Sequence, residues 1–163
     1  MKKIITIAII IMTLLVVGCT YEEEPNKKKL TDNTFGSLLY QVPKSFKKSS
    51  DSTDNTYFYH YIDKNKTDSC TLTILIHEPY TTDLEKIIKT YMYSDEDFVI
   101  KEKKINNIKW KYAENKRGTN TIYYVYTTIH DNKNYVIQYD DLRYGNYCNY
   151  AYKKIIKSLK FKE

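Results

Sequence analysis

The chain has 163 residues, 42% hydrophobic and 15% aromatic, with 18 tyrosines but only 4 glycines and 3 prolines. That content excludes a disordered or low-complexity chain and leaves room for one domain plus a targeting segment. Lys and Arg number 26 against 20 Asp and Glu, and this net charge of +6 is scattered, so it carries no signature of nucleic-acid binding.

Lys2 and Lys3 precede an uncharged apolar run, Ile4 to Val17, broken only by Thr6 and Thr13. The run is shorter than the about 20 apolar residues of a spanning helix and suits the core of a signal peptide. It closes on Val16-Val17-Gly18-Cys19, which resembles the lipobox of bacterial lipoprotein signal peptides. The resemblance implies a signal peptide over residues 1–18, cleavage before Cys19, and a diacylglycerol thioether on the Cys19 thiol with acyl chains of the palmitate kind. Two such chains anchor firmly where one binds only marginally. The mature chain is therefore expected to be lipid-anchored at the extracytoplasmic face of the cell membrane, with its charge lowered from +6 to +4 by loss of Lys2 and Lys3. A composition rich in Lys, Asn, Ile and Tyr points to a low-GC Gram-positive bacterium.

Thr20 to Thr34 is polar, with Glu22-Glu23-Glu24, Pro25 and Lys27-Lys28-Lys29. Nothing in it builds a core, so residues 19–34 read as a lipidated N-terminus and flexible tether, and residues 35–163 as a single globular domain. Lys27 to Lys29 would attract anionic headgroups, but the acidic triplet lies closer to the lipid and opposes them.

Phe35 to Val42 reads as a strand stopped by Pro43, and Tyr57 to Ile62 as a second, with a turn at Ser49 to Ser52 between them. Cys70 to His77 is a third, whose core face is Cys70, Leu72, Ile74 and Ile76. After Pro79, Leu84, Ile87, Ile88 and Tyr91 recur at helical spacing and predict a helix over Asp83 to Tyr93. Phe98 to Lys104 and Ile108 to Tyr112 form a hairpin about Asn106-Asn107, because Asn tolerates the positive φ of a tight turn. Thr119 to His130 is apolar on both faces, as a central strand covered on both sides would be. Asp131 to Asn134 turns it into Tyr135 to Tyr139, and a last helix, Asn146 to Leu159, buries Cys148, Ala151, Tyr152, Ile155, Ile156 and Leu159. Phe161 then closes against a sheet edge.

Strands joined by short turns, with helices at two places, give an α+β domain: a central antiparallel sheet of about six or seven strands and two main helices. With "YQVPKSF" (Tyr40 to Phe46), the "INNIKWKY" hairpin (Ile105 to Tyr112), the paired "TIYYVYTT" and "NYVIQY" strands and the terminal "KKIIKSLKF" (Lys153 to Phe161), the chain resembles the PsbP/Mog1-like fold, an α/β/α sandwich. The resemblance rests on hydrophobic patterning. It implies a domain that binds or assembles other proteins, has no shared active site, and offers no functional residue to carry over.

The chemistry-bearing residues are few. His60, His77 and His130 share no metal-ligand spacing, and no HExxH, CxxC, GxSxG or phosphate loop occurs, so no metal and no cofactor is implied. His77-Glu78 at a strand end and the Asp140-Asp141 pair are the remaining catalytic or calcium-binding possibilities, against the reading of solvated strand ends. Cys70 and Cys148 are an even pair in an oxidising compartment; they form either a disulfide or two buried thiols. Tyr57, Tyr59, Tyr61, Tyr80, Tyr91, Tyr93, Tyr123, Tyr124, Tyr126, Tyr144, Tyr147, Tyr150 and Tyr152 are more than one core is expected to hold, leaving either an aromatic binding patch or tyrosines at the sheet rims. The leading expectation is a lipoprotein with a non-catalytic binding or assembly domain, its partner the membrane through the anchor and a protein or glycan of the envelope, with no nucleic acid. A small cell-envelope hydrolase built on His77, Glu78 and Asp140-Asp141 comes second. A two-lobed solute-binding protein, for which the domain is too short, comes third.

Overall fold

The computed structural model describes residues 29–63, 65, 68–79, 81–92, 98–117, 121–142 and 146–163, without the side chains of 116, 117, 121, 122 and 146. The residues read as a signal peptide, lipobox and tether, Cys19 among them and through residue 28, lie outside the described residues, as do Tyr80, Tyr93 and Tyr144.

The domain opens with β1 (Leu30–Phe35), β2 (Leu38–Pro43), the two-residue β3 (Lys47–Lys48), β4 (Thr56–Ile62) and β5 (Ser69–His77). Helix α1 (Leu84–Tyr91) follows, then β6 (Lys101–Ile105), β7 (Ile108–Arg117), β8 (Thr121–His130) and β9 (Lys133–Asp141). Helix α2 (Asn146–Ser158) and β10 (Lys160–Phe161) complete it. One sheet has seven antiparallel strands in the order β3-β4-β5-β9-β8-β7-β6, and a second has three in the order β1-β2-β10. The expected antiparallel sheet with two helices on it is what the chain forms.

Local chemistry sets the turns. Asn106 and Asn107 have φ of 46° and 68°, and Asp131 and Asn132 have 47° and 53°. Two consecutive left-handed residues make the tight turn whose twist matches the flanking strands. The Asp83 carboxylate accepts hydrogen bonds from the N–H of Glu85 (2.9 Å) and Lys86 (3.3 Å), so it caps α1 from one residue before the helix. Ile87 and Ile88 of α1 pack with Ala113, Tyr123, Val125 and Val136 on one face of the large sheet. The opposite face, with Leu72, Ile74, Tyr124, Tyr126, Ile137 and Tyr139, is covered by α2 and the β1–β2 hairpin. The central strand β8 is thus buried on both faces, as its double apolar pattern requires.

Three sequence expectations change. The strand read over Phe35 to Val42 is a hairpin: Phe35 ends β1, Gly36 turns at φ +58°, and β2 begins at Leu38. A Cβ on Gly36 would stand 2.9 Å from Ile76 Cδ1, so the turn also needs the space. The supposed tether ends earlier than residue 34, because Leu30–Thr34 belong to β1 and pair with β2. That strand is mostly solvent-exposed, so no alternation of apolar residues announces it. The strand expected from Phe98 starts at Lys101; Phe98 and Ile100 pack toward α1 and do not join the ladder.

Candidate functional site

The hairpin, the end of α2 and the β6–β7 turn enclose a polar cleft of about 550 Å³. Asp32, Asn33 and Thr34 of β1 form one wall, and Leu39, Tyr40 and Gln41 of β2 its floor. Asn106, Ser158 and Lys160 close the other side. Alternation along β2 explains the floor: Leu38, Tyr40 and Val42 are buried while Leu39 and Gln41 are half-buried.

The cleft is held by hydrogen bonds between its own walls. The Gln41 side-chain amide donates to Asp32 Oδ1 at 2.8 Å. The Gln41 N–H donates to Ser158 Oγ at 2.8 Å, and that hydroxyl donates to Ile155 O at 2.6 Å. Asn106 Nδ2 donates to Lys157 O (3.0 Å) and Leu159 O (2.9 Å), so a turn residue caps a helix fifty residues later in sequence. The lining holds amides, hydroxyls, one carboxylate and one ammonium, with no imidazole or thiol. Such a surface can donate to and accept from a polar ligand; it offers no nucleophile with an adjacent base.

His77 and Glu78 line a second cleft of about 470 Å³, with Asn55, Thr56 and Tyr91. His77 Nδ1 is 3.1 Å from Glu78 O, and its ring stacks on Tyr91 at 6.5 Å. The acidic pair is elsewhere. His77 stands opposite Asn134 in the β5–β9 ladder and Thr71 opposite Asp140, so six residues, about 20 Å of strand, separate them. Asp140 and Asp141 also point to opposite faces of β9, since neighbours in a strand alternate. The groups required for the hydrolase reading do not converge. His60 is exposed on β4, and His130 stacks on Phe161 at 3.8 Å, so the histidines form no cluster either.

Asp141 lies inside with Asp68 and Cys148; one potential ligand atom from each falls within 4.8 Å of the others. Cys148 is joined to Cys70 by a disulfide, Cα to Cα 5.9 Å, so its sulfur is no thiolate. Asp68 Oδ2 accepts the Tyr147 N–H at 3.2 Å, in the first turn of α2. A carboxylate there complements the helix dipole, which accounts for Asp68 structurally.

The tyrosines are mostly interior. Tyr59, Tyr61, Tyr123, Tyr124, Tyr126, Tyr147 and Tyr152 are buried, and Tyr57, Tyr91 and Tyr150 are half-buried. Their hydroxyls pair with each other or with nearby groups: Tyr40 with Tyr59 and Tyr126 with Tyr152 at 2.7 Å, Tyr139 to Cys148 O at 2.7 Å, and Tyr147 with Ser45. Burial holds the Tyr126 and Tyr147 phenols up at about 12, and those of Tyr40, Tyr124, Tyr139 and Tyr152 higher still. An exposed aromatic patch made of these residues is not what the described residues form. The cleft residues Asn33, Gln41, Asn106 and Ser158 escaped the sequence reading, because isolated amides and hydroxyls carry no spacing signal; Asn106 was legible only as a turn.

No protein-family model matches the sequence. No curated protein matches it either. Among solved structures, the chain is similar to the solution structure of cyanobacterial PsbP (CyanoP) from Synechocystis sp. PCC 6803, with a TM-score of 0.53. The match covers 90% of this chain and 99% of that one at 10% sequence identity. The fold is PsbP-like. At that identity the likeness speaks for backbone architecture alone, as the patterning of the sequence had implied. Among the described residues no helix is long and apolar enough to cross a membrane.

Proposed function

We propose that the chain is a lipid-anchored extracytoplasmic lipoprotein whose PsbP-like domain is a non-catalytic binding or assembly module. Its cleft beside the C-terminal end of α2 takes a hydroxyl- or amide-rich group of an envelope protein or glycan. The observation that carries the binding reading is the lining itself: Asn33, Gln41, Asn106 and Ser158 present neutral donors and acceptors in a concave site, while His77 and Asp140 are kept apart by the length of a strand. The lipobox supports the anchor, and the PsbP-like fold supports an assembly role.

Two measurements test it. Metabolic labelling with palmitate and detergent phase partition should place the wild-type chain in the lipid fraction and Cys19→Ala in the aqueous one. Titration of the wild-type chain with soluble cell-wall glycopeptide fragments should perturb backbone amide resonances of β1, β2 and Asn106. The double variant Asn33→Ala/Gln41→Ala should lose that response. Perturbation confined to the His77 cleft, or hydrolysis of the fragments that depends on His77, would overturn the reading.

A further inference from the structure

We infer that the end of the domain where the chain enters docks directly on the anionic surface of the bilayer, an orientation that rests on the lipid-anchor reading. Lys29 enters beside Lys44, whose N–H donates to Lys29 O at 2.8 Å. Ser45 then bonds the Tyr147 hydroxyl at the start of α2, and Phe46 stacks on Tyr61 at 5.7 Å. Entry point, α2 N-terminus and the Tyr61 end of β4 therefore share one end of the molecule.

That end carries two of the exposed large apolar side chains, Ile62 (58% exposed) and Leu142 (50%). They flank one residue: Ile62 pairs with Ser69 across β4–β5, and the Leu142 N–H donates to Ser69 O at 2.8 Å. Opposed residues on adjacent antiparallel strands share a face, so the two side chains stand on the same side of the sheet rim. Lys47, paired with His60 on β3–β4, is exposed on that same side, and Lys29 and Lys44 are exposed at the same end on the hairpin layer. Among the described acidic groups at this end, Asp68 and Asp141 are buried, Asp63 is half-buried and accepts the Asp68 N–H at 3.2 Å, and Asp140 is half-buried on the face that carries Leu142. Basic heads around inserted aliphatic side chains are the chemistry that recognises anionic lipid headgroups. The leash adds proximity and no net attraction, since Glu22-Glu23-Glu24 offset Lys27-Lys28-Lys29 within it. Ten residues from Cys19 to Lys29 reach at most about 36 Å, which holds this end at a high effective concentration over the bilayer.

The test uses the lipidated mature chain in vesicles containing lipids brominated along the acyl chain. Leu142→Trp reports the docked end and Lys133→Trp the opposite end, about 30 Å away along β9; Ile62→Trp replaces Leu142→Trp if that variant fails to fold. Trp110 is fully buried and gives a constant background. In phosphatidylglycerol vesicles, fluorescence at position 142 should be quenched and at 133 not. Quenching should weaken about fivefold in docking equilibrium for each of Lys44→Gln and Lys47→Gln at low salt, and fade in 0.5 M salt. Equal quenching at both positions, no quenching, or the same quenching in pure phosphatidylcholine would overturn the docking. Flotation of the same samples reports the anchor separately: a chain that floats without quenching keeps the anchor and loses the docked orientation.

Discussion

The phenolic oxygens of Tyr126 and Tyr152 lie 2.7 Å apart in the interior, where Tyr126 is 1% and Tyr152 9% exposed. One hydroxyl on β8 satisfies another on α2, and Tyr40 and Tyr59 repeat the arrangement between β2 and β4. Pairing of this kind lets a core accept tyrosine at many positions, since a buried hydroxyl is costly only when it lacks a partner.

The pair predicts a non-additive cycle. Tyr126→Phe or Tyr152→Phe alone strands the other hydroxyl and should cost about 1–3 kcal/mol. Tyr126→Phe/Tyr152→Phe together should cost less than the sum, because both polar groups leave at once. Urea unfolding of the four proteins measures this; strict additivity would show that the hydroxyls are not coupled.

Alkali should unfold the domain through its phenols. Burial raises Tyr126 and Tyr147 from 10 to about 12, so the folded state prefers the neutral form. Their contribution is complete below pH 10 and is lost as pH rises from 10 toward 12. For Tyr126 it amounts to about 3 kcal/mol at most. Phenolate absorbance at 295 nm and loss of near-ultraviolet circular dichroism should therefore rise together between those values. Full ionisation with tertiary structure intact would contradict the burial.

Asn106 joins two distant pieces of chain and should be sensitive beyond its exposure. Asn106→Gly keeps the left-handed turn but loses the bonds to Lys157 O and Leu159 O, at about 1–2 kcal/mol. Asn106→Ala also strains a φ of 46° and should cost about 1 kcal/mol more. Thermal denaturation should rank wild type above the glycine variant and the glycine variant above the alanine one.

The Cys70–Cys148 disulfide ties β5 to α2 across 78 residues. Closing so long a loop in the unfolded chain is worth about 4–5 kcal/mol on the chain-entropy model. Cys70→Ala/Cys148→Ala, or dithiothreitol, should lower the unfolding midpoint sharply and open α2 to proteolysis. An unchanged midpoint would show that packing alone holds the helix.

Much of the architecture was legible because it rests on local pattern. Cys70, Leu72, Ile74 and Ile76 alternate and are all buried; Ile87 and Ile88 recur at helical spacing and face the sheet; Asn106-Asn107 announces its own turn. The hairpin of β1 and β2 was not legible as two strands. β1 is an exposed edge whose only fully buried side chain is Phe35, so its sequence has no face to display.

By itself the sequence determined most of the element types and the two-sided burial of β8, because each depends on residues within one turn or one strand. Tertiary structure alone decided that His77 and Asp140 stand at opposite ends of a ladder, that the tyrosines satisfy one another inside, and that Asn33, Gln41, Asn106 and Ser158 meet around one cleft. Those are facts of register and packing: the residues involved lie up to 125 positions apart from Asn33 to Ser158, and no local periodicity encodes a distance between elements that only the closed sheet brings together.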